Sequence, residues 1–408
     1  MDSVATLPDM QTVPRFAEAH TPPAWGKLFL LLFTFFMVGH IQDAIQLLDS
    51  VRVSLVTGGL AATAWLLGPG SFPDKIPLQI KQVRYVLMLL GLAVVTVPIS
   101  VWPGGSFDFL TGTYVKLVLF FLLMVYWCRT LRDIHQVLWV CCLSAFALMI
   151  YGLLTGQASD ERFYAGSTMY DPNDLALMFV MILPLILYLL STSSFGAKLL
   201  LFGMAFLSLY SIMLTKSRGG FLSLMVVGLL FLWRGRMKKL SKFAVAAVAL
   251  VVFGLLASSE FWDRMETMWA PKTEYDRTLG GRSDTWEKGL KILLSRPWGV
   301  GINGYITAEG LSHGGEGKWS ATHNAYIQVG TELGIVGLVL FTLLLARTLK
   351  ELRHIQSLAA GPSPPGNSLG KLATLASSLE ISLWGYVMGS FFLSSAYDGL
   401  LYILIALS

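Results

Sequence analysis

Thr322-His323-Asn324-Ala325-Tyr326 closes a polar stretch, residues 259–322, in which Trp, Arg and Gly recur, and on both sides of it the chain is almost unbroken hydrocarbon. The pentapeptide stands at the mouth of an apolar helix. A membrane protein whose one extended polar element gathers its Arg, Trp and His in this way is expected to do its chemistry on that face. The whole chain agrees with a membrane setting. Its 408 residues are 54% hydrophobic and only 13% charged, with a mean hydropathy of +0.63, which excludes an ordinary soluble domain. The apolar stretches are continuous runs of Leu, Val, Phe and Ala rather than short alternating segments, which argues against a β-barrel. The fold class expected is therefore all-α, a polytopic transmembrane helical bundle.

About twelve spans meet the requirement of roughly 20 apolar residues per crossing. They fall near 28–47, 51–67, 85–102, 110–127, 134–154, 173–193, 197–215, 218–233, 240–258, 324–346, 372–394 and 398–408, the last short enough to be half a span. Basic residues set the orientation. Lys75, Lys81 and Arg84, Arg129 and Arg132, Arg234 to Lys242, and Arg347, Lys350 and Arg353 all fall in loops on one side, which the positive-inside rule makes cytoplasmic. The resulting domain plan has a flexible cytoplasmic tail at 1–26, nine transmembrane helices over 27–258, one large periplasmic loop with short amphipathic helices at 259–323, and C-terminal transmembrane helices over 324–408. The tail holds Pro14, Pro22 and Pro23 but no basic n-region, so it does not read as a cleaved signal peptide. The net charge of +5 comes largely from the cytoplasmic anchors and carries no implication of nucleic acid. Cys128, Cys141 and Cys142 lie at the inner side, and no disulfide or thiolate metal site is expected.

Four sites on the outer side carry possible chemistry, each beside a plainer reading. Arg162 precedes Asp171-Pro172-Asn173-Asp174, where Asp171 or Asn173 would cap a helix whose free amides could face an anion; the plainer reading is a solvated charge and ordinary capping. Lys216-Ser217-Arg218-Gly219-Gly220 interrupts apolar sequence with two cations at a tight outer turn, either as an anion site or as headgroup contacts. Gly281-Arg282-Ser283-Asp284-Thr285-Trp286 opens an amphipathic helix, expected on the membrane surface with Trp286, Leu290, Leu293 and Leu294 on one face. Arg282 there could bind phosphate oxygens, or join Lys288 and Lys291 in anchoring to headgroups. Gly299-x-Gly301 is a weak phosphate-loop signal, read as a loop that lets backbone run close to the site. His323 is structural or a general base, imidazole titrating near roughly 6.5; Asp284, Glu287 and Glu309 are alternative bases. His313 is a weak metal candidate without an acidic partner at ligand spacing. Lys116, Asp43 and Glu380, inside spans, either line a cavity or are structural.

Taken in order, Arg162 with Asp171-Pro172-Asn173-Asp174, Ser217-Arg218-Gly219, Gly281-Arg282 with Trp286, Pro297-x-Gly299-x-Gly301, His323-Asn324-x-Tyr326 and Gly334-x-x-Gly337 resemble the O-antigen ligase and polymerase superfamily of bacterial membrane glycosyltransferases. No single motif is specific; the ordered conjunction is. The resemblance implies inverting transfer of a glycan from undecaprenyl pyrophosphate to a periplasmic acceptor hydroxyl, at the inner membrane and without metal or other cofactor. Arg162, Arg218 and Arg282 would clamp the diphosphate, Lys216, Asn324 and Trp286 would help bind donor and glycan, and His323 would be the base. Lipid A-core as acceptor, making the chain an O-antigen ligase of lipopolysaccharide biosynthesis, comes first. A second lipid-linked glycan, as in a polymerase, comes next, then protein O-oligosaccharyl transfer. A lipid-linked glycan flippase is the rival from another class, and it should place cations along several spans rather than gather them outside.

Overall fold

The apolar runs fold as helices because a backbone in hydrocarbon must satisfy its amides within the segment. A computed structural model describes residues 23–68, 75–155, 158–159, 162–163, 170–234, 247, 251, 253–266, 282–315, 319–359 and 368–408. Most of the expected 1–26 tail and of the 240–258 span lies outside the described residues. In chain order the helices are α1 Ala24–Gly39, α2 Ile41–Ala44, α3 Gln46–Ser50, α4 Val53–Leu67, α5 Lys81–Thr96, α6 Pro103–Phe109, α7 Val115–Trp127, α8 Leu131–Thr155, α9 Pro172–Thr192, α10 Phe195–Leu214, α11 Arg218–Arg234, α12 Ser259–Glu266, α13 Arg282–Ser295, α14 Tyr305–Ser312, α15 Ala325–Leu358, α16 Ser368–Gly389 and α17 Gly399–Ala406. The two short strands β1 Ala158–Ser159 and β2 Arg162–Phe163 form an antiparallel hairpin between α8 and α9.

Among the described residues five helical runs are long and apolar enough to cross a membrane: Pro103–Trp127, α8, α9, α10 and α15. The first expected span stops short, since α1 ends at a left-handed His40 and the chain continues as the short α2 and α3. The 110–127 span is longer than read from sequence, because a π-helical turn at Leu110–Tyr114 joins α6 to α7 without a break. Lys116, placed by sequence near the outer end, therefore sits about halfway along the run.

The centre of the bundle is α9, buried along most of its length against α8, α10, α11 and α16. Pro184 interrupts its amide ladder, and close to that gap the Ser382 hydroxyl of α16 donates to the Met181 carbonyl. At one end of the bundle the fully buried Glu380 accepts from Arg353 Nε at 2.7 Å and Gln356 Nε2 at 2.9 Å, and pairs with Arg234. Lys27 pairs with Asp133, and His135 Nε2 lies 2.5 Å from the Tyr188 hydroxyl, so the starts of α1 and α8 and the last turn of α9 share this end. The opposite end carries β1–β2, the α10–α11 turn, α12 to α14, the start of α15 and the α16–α17 turn.

A break in α15 holds that second end together. Gly334 has φ 72° and ψ −175°, so the helix is interrupted after Leu333 and resumes at Ile335. Carbonyls and an amide freed there find partners in the loop after α13. Val300 N donates to Thr331 O at 2.9 Å, Gly301 N to Glu332 O at 3.0 Å, and Ile335 N to Pro297 O at 2.9 Å. The backbones approach too closely for side chains: a Cβ on Gly334 would lie 2.4 Å from Pro297 O, and one on Gly299, itself at φ +98°, 2.4 Å from Glu332 O. The Gly299-x-Gly301 signal is thus spent on this splice. A hydroxyl bond from Ser106 to Ile302 O at 2.7 Å ties the splice to α6.

Candidate functional site

Arg162 leaves β2 pointing into the turn between α10 and α11. Its Nε donates to the Thr215 carbonyl at 2.9 Å and its Nη2 to Asn173 Oδ1 at 2.8 Å. The same Oδ1 accepts from the Ser217 hydroxyl at 2.9 Å. Asn173 is held in turn by Asp171, whose carboxylate caps α9 by accepting from the amides of Asn173 at 2.6 Å and Asp174 at 2.9 Å. The capping expected from sequence is present, and it also ties Arg162 to the residue before Arg218. Gly219 and Gly220 allow close packing here: a Cβ on Gly220 would lie 2.6 Å from Ala176 Cβ, and one on Gly219 3.1 Å from Phe392 Cβ.

Around Arg162 the electric field is strongly positive. Burial, then the neighbouring charge of Arg264, and further those of Arg282 and Arg218, push its guanidinium down to about 10, with Asp171 opposing them. Arg282 is lowered as well, first by burial, then by Arg218, again opposed by Asp171, and by Arg264. Four guanidinium groups therefore share one neighbourhood in which Asp171 is the counter-charge acting on both buried members. Arg162, Arg218 and Arg282, separated by more than a hundred residues of chain, were all candidates from sequence. Arg264 was not. It lies on α12, which buries Phe261 and Met265, and Phe261 packs edge-on against Phe221 of α11 at 5.7 Å. Phe261 and Met265, an i, i+4 pair, make the buried side of the short helix and leave Arg264 on its exposed side.

Arg282 begins α13 and lies over the Phe392 ring at 5.8 Å; Trp286 meets the same ring at 6.5 Å. The indole Nε1 of Trp286 is buried and has no hydrogen-bond partner among the described residues. The buried face of α13 differs from the expected stripe. Thr285, Gly289 and Leu293 turn inward, with a Cβ on Gly289 only 2.4 Å from Ile327, while Leu290 and Leu294 are exposed. This helix packs on the first half of α15. Its partner α14 is locked to it by the buried Glu309, which takes Lys288 at 3.0 Å and the Ser320 amide at 3.0 Å. Glu309, Asp284 and Glu287 are thereby occupied: Asp284 pairs with Lys288 at 2.9 Å and Glu287 with Lys291 at 2.7 Å. Lys288 and Lys291 are engaged within the loop itself. His313 lies 3.5 Å from Glu309. No group of three or more His, Cys, Asp or Glu able to hold a metal occurs among the described residues.

His323 sits in the strap from Trp319 to Asn324 at φ 46°, a left-handed conformation that is costly for a residue with a Cβ. The strap is over-determined. His323 N donates to Ser394 Oγ at 2.9 Å, the Thr322 and Ser394 hydroxyls are 2.8 Å apart, and Ala325 N donates to the Ser390 carbonyl at 2.8 Å. Asn324, expected to contact substrate, spends its Oδ1 on capping α15, accepting from Tyr326 N at 2.9 Å and Ile327 N at 3.0 Å. The α16–α17 turn thus carries Ser394 under His323 and Phe392 under Arg282, which links the imidazole to the arginine cluster. Neither residue was singled out from sequence, where both read as the tail of an apolar span. Lys216, the remaining candidate, is at φ 49° and lies 3.8 Å from Glu260, whose carboxyl is lowered by the Ser258 hydroxyl and then by Lys216.

Part of this cluster lies in a region with a family match. No curated protein matches the chain. The family model described as O-antigen ligase matches residues 203–342, a segment that contains Lys216, Arg218, Arg264, Arg282, Trp286, His323 and Asn324 and is similar to that family.

Proposed function

We propose that this protein is an inverting glycosyltransferase that takes a glycan from undecaprenyl pyrophosphate and passes it to a hydroxyl of lipid A-core on the periplasmic face of the inner membrane. The observation that carries the reading is the gathering of Arg162, Arg218, Arg264 and Arg282 in one neighbourhood, where like charge lowers the guanidiniums of Arg162 and Arg282 and Asp171 opposes it. Such a concentration of positive charge favours a polyanion, and a diphosphate is one. Guanidinium forks match phosphate oxygens, and a positive field of this kind favours the leaving group most when its charge has fully developed.

In the proposed step the acceptor O–H gives its proton to His323 as its oxygen attacks the anomeric carbon. The bond from that carbon to the diphosphate oxygen breaks, and undecaprenyl pyrophosphate leaves with the electron pair. The strap fixes where His323 stands, so the base need not be reoriented for each turnover. Trp286, with a buried indole N–H that lacks a partner, is positioned to donate to a sugar or phosphate oxygen beside Arg282. Asn324 contributes through the strap rather than by direct contact, and Lys216 adds positive charge at the rim. The residues assign the work to arginines, so transfer is expected to continue in EDTA.

The test is transfer by purified protein from glycan-loaded undecaprenyl pyrophosphate to lipid A-core, or to a second lipid-linked glycan, with EDTA present. A product on lipid A-core supports the ligase reading. A ladder on the second lipid alone overturns the choice of acceptor in favour of a polymerase. Donor binding without any product overturns transfer to either lipid.

A further inference from the structure

Lys116 and the space beside it play no part in the chemistry above. Between α1, the α2–α3 segment, α4 and α7 lies a cavity of about 420 Å³. Its polar wall is made by Gln42, Asp43, Asp49, Arg52 and Lys116, and its apolar wall by Phe33, Leu55 and Leu119. Leu55 is half exposed, so this wall continues into the outer apolar surface of α4. The cavity is thus amphipathic and open to the side.

Four further observations point to an occupant. Lys116 is an exposed cation about halfway along a membrane-length helix, where an ammonium is costly without an anion or water to meet it. No ion pair among the described residues involves Lys116 or Arg52. Gln42, only 7% exposed, has its Oε1 buried without a hydrogen-bond partner among the described residues, and the Ser54 hydroxyl in the same wall is buried in the same way. The π-helical turn just before Lys116 shifts the register of α7 by about 100° relative to α6, the kind of distortion that recurs at ligand sites.

The chemistry that satisfies these groups is specific. Two cations ask for a phosphate, and Gln42 Oε1 asks for a hydroxyl or amide donor. The apolar wall and lateral opening ask for acyl chains. Asp43 and Asp49 balance the cations, so a free phosphate ion without apolar contact is poorly held. The cavity also sits at the reacting end of the bundle. His40, 3.4 Å from Asp43, packs edge-on against Tyr170 at 5.4 Å, and Tyr170 immediately precedes Asp171.

We infer that this cavity holds the phosphate-bearing, acylated head of the acceptor lipid, presenting its glycan end to His323. The inference rests on the glycosyl-transfer reading for the identity of that lipid. The test measures binding, not transfer, so the two can fail separately. Protein in neutral detergent is titrated with lipid A, alone and against dioleoyl phosphatidic acid as competitor. Lys116→Gln with Arg52→Gln should weaken lipid A binding about tenfold or more, as expected when charged hydrogen bonds are lost, and leave inorganic pyrophosphate binding unchanged. Gln42→Leu should weaken it less, and phosphatidic acid should compete poorly because it lacks the amide donors. Unchanged lipid A binding in the double variant would overturn the site. Equal competition by phosphatidic acid would overturn the acceptor assignment and leave a site for bulk lipid phosphate.

Discussion

Helix α11 carries an arginine at each end, and the two ends treat it in opposite ways. Arg234 meets Glu380, a fully buried carboxylate that also takes Arg353 and Gln356. Arg218 instead lies in a neighbourhood with Arg162, Arg264 and Arg282, where burial and like charge lower the guanidiniums of Arg162 and Arg282. At the first end charge is neutralised to close the bundle. At the second, positive charge is concentrated, and Arg162 is held there by neutral oxygens, those of Asn173 and Thr215. A protein that only needed a stable helix end would not accumulate arginines there. The difference sets a packing site apart from the proposed diphosphate site.

Substitutions at the two ends should therefore move different quantities. His323→Ala is expected to lower transfer by about 10²–10⁴-fold, the usual contribution of a general base, with donor binding intact; loss of donor binding in parallel would mean that the strap had collapsed. Arg282→Gln is expected to lower transfer by about 10²–10³-fold, yet to leave the melting temperature unchanged or higher, because it removes a like charge from beside Arg162. Glu380→Ala is the converse. It leaves Arg234 without its carboxylate and should cost about 3 kcal/mol in stability, seen as a lower melting temperature, while the folded fraction keeps its specific activity. A Glu380 variant with normal stability and no activity would erase the distinction between the ends.

The smallest expected effect is in pH. The Arg162 guanidinium is lowered to about 10 in the folded protein, so it loses its proton there before it would in an unfolded chain. Its charged form is disfavoured by folding, so this group's contribution to stability improves as pH rises through that value. Anion affinity moves the other way. Pyrophosphate binding should weaken above about pH 10 without a matching loss of fold from this residue.

The helical membrane class was legible because hydrocarbon runs leave few alternatives, and Arg162, Arg218, Arg282 and His323 stood out in the sequence because they break the apolar pattern. What could not be read is tertiary in origin. Arg264 lies on a short helix that Phe261 packs against Phe221 of α11, and a two-residue apolar pair in a polar loop gives little signal. The glycines at 299 and 301 serve a broken helix, since they let the chain run close enough for the amides of Val300 and Gly301 to donate to the carbonyls of residues 331 and 332. Phe392 and Ser394 sit at the end of an apolar segment and acquire their roles from what α13 and the strap bring to them. Even Asn173, one of two caps offered by the sequence, leaves the cap to Asp171 and makes a side-chain bond to Arg162 that spacing does not encode.

The central claim is that the arginine cluster is a diphosphate site, and inorganic pyrophosphate titrated into the purified protein at neutral pH tests it most directly, with the melting temperature as readout. The wild type should melt higher as pyrophosphate saturates, by about 2.7 kcal/mol of added stability at a hundredfold excess over its dissociation constant. Arg162→Gln, Arg218→Gln and Arg282→Gln should each lose most of that shift, and Arg234→Gln should retain it. A shift that is absent in the wild type, or that depends on Arg234 as much as on Arg282, would contradict the account.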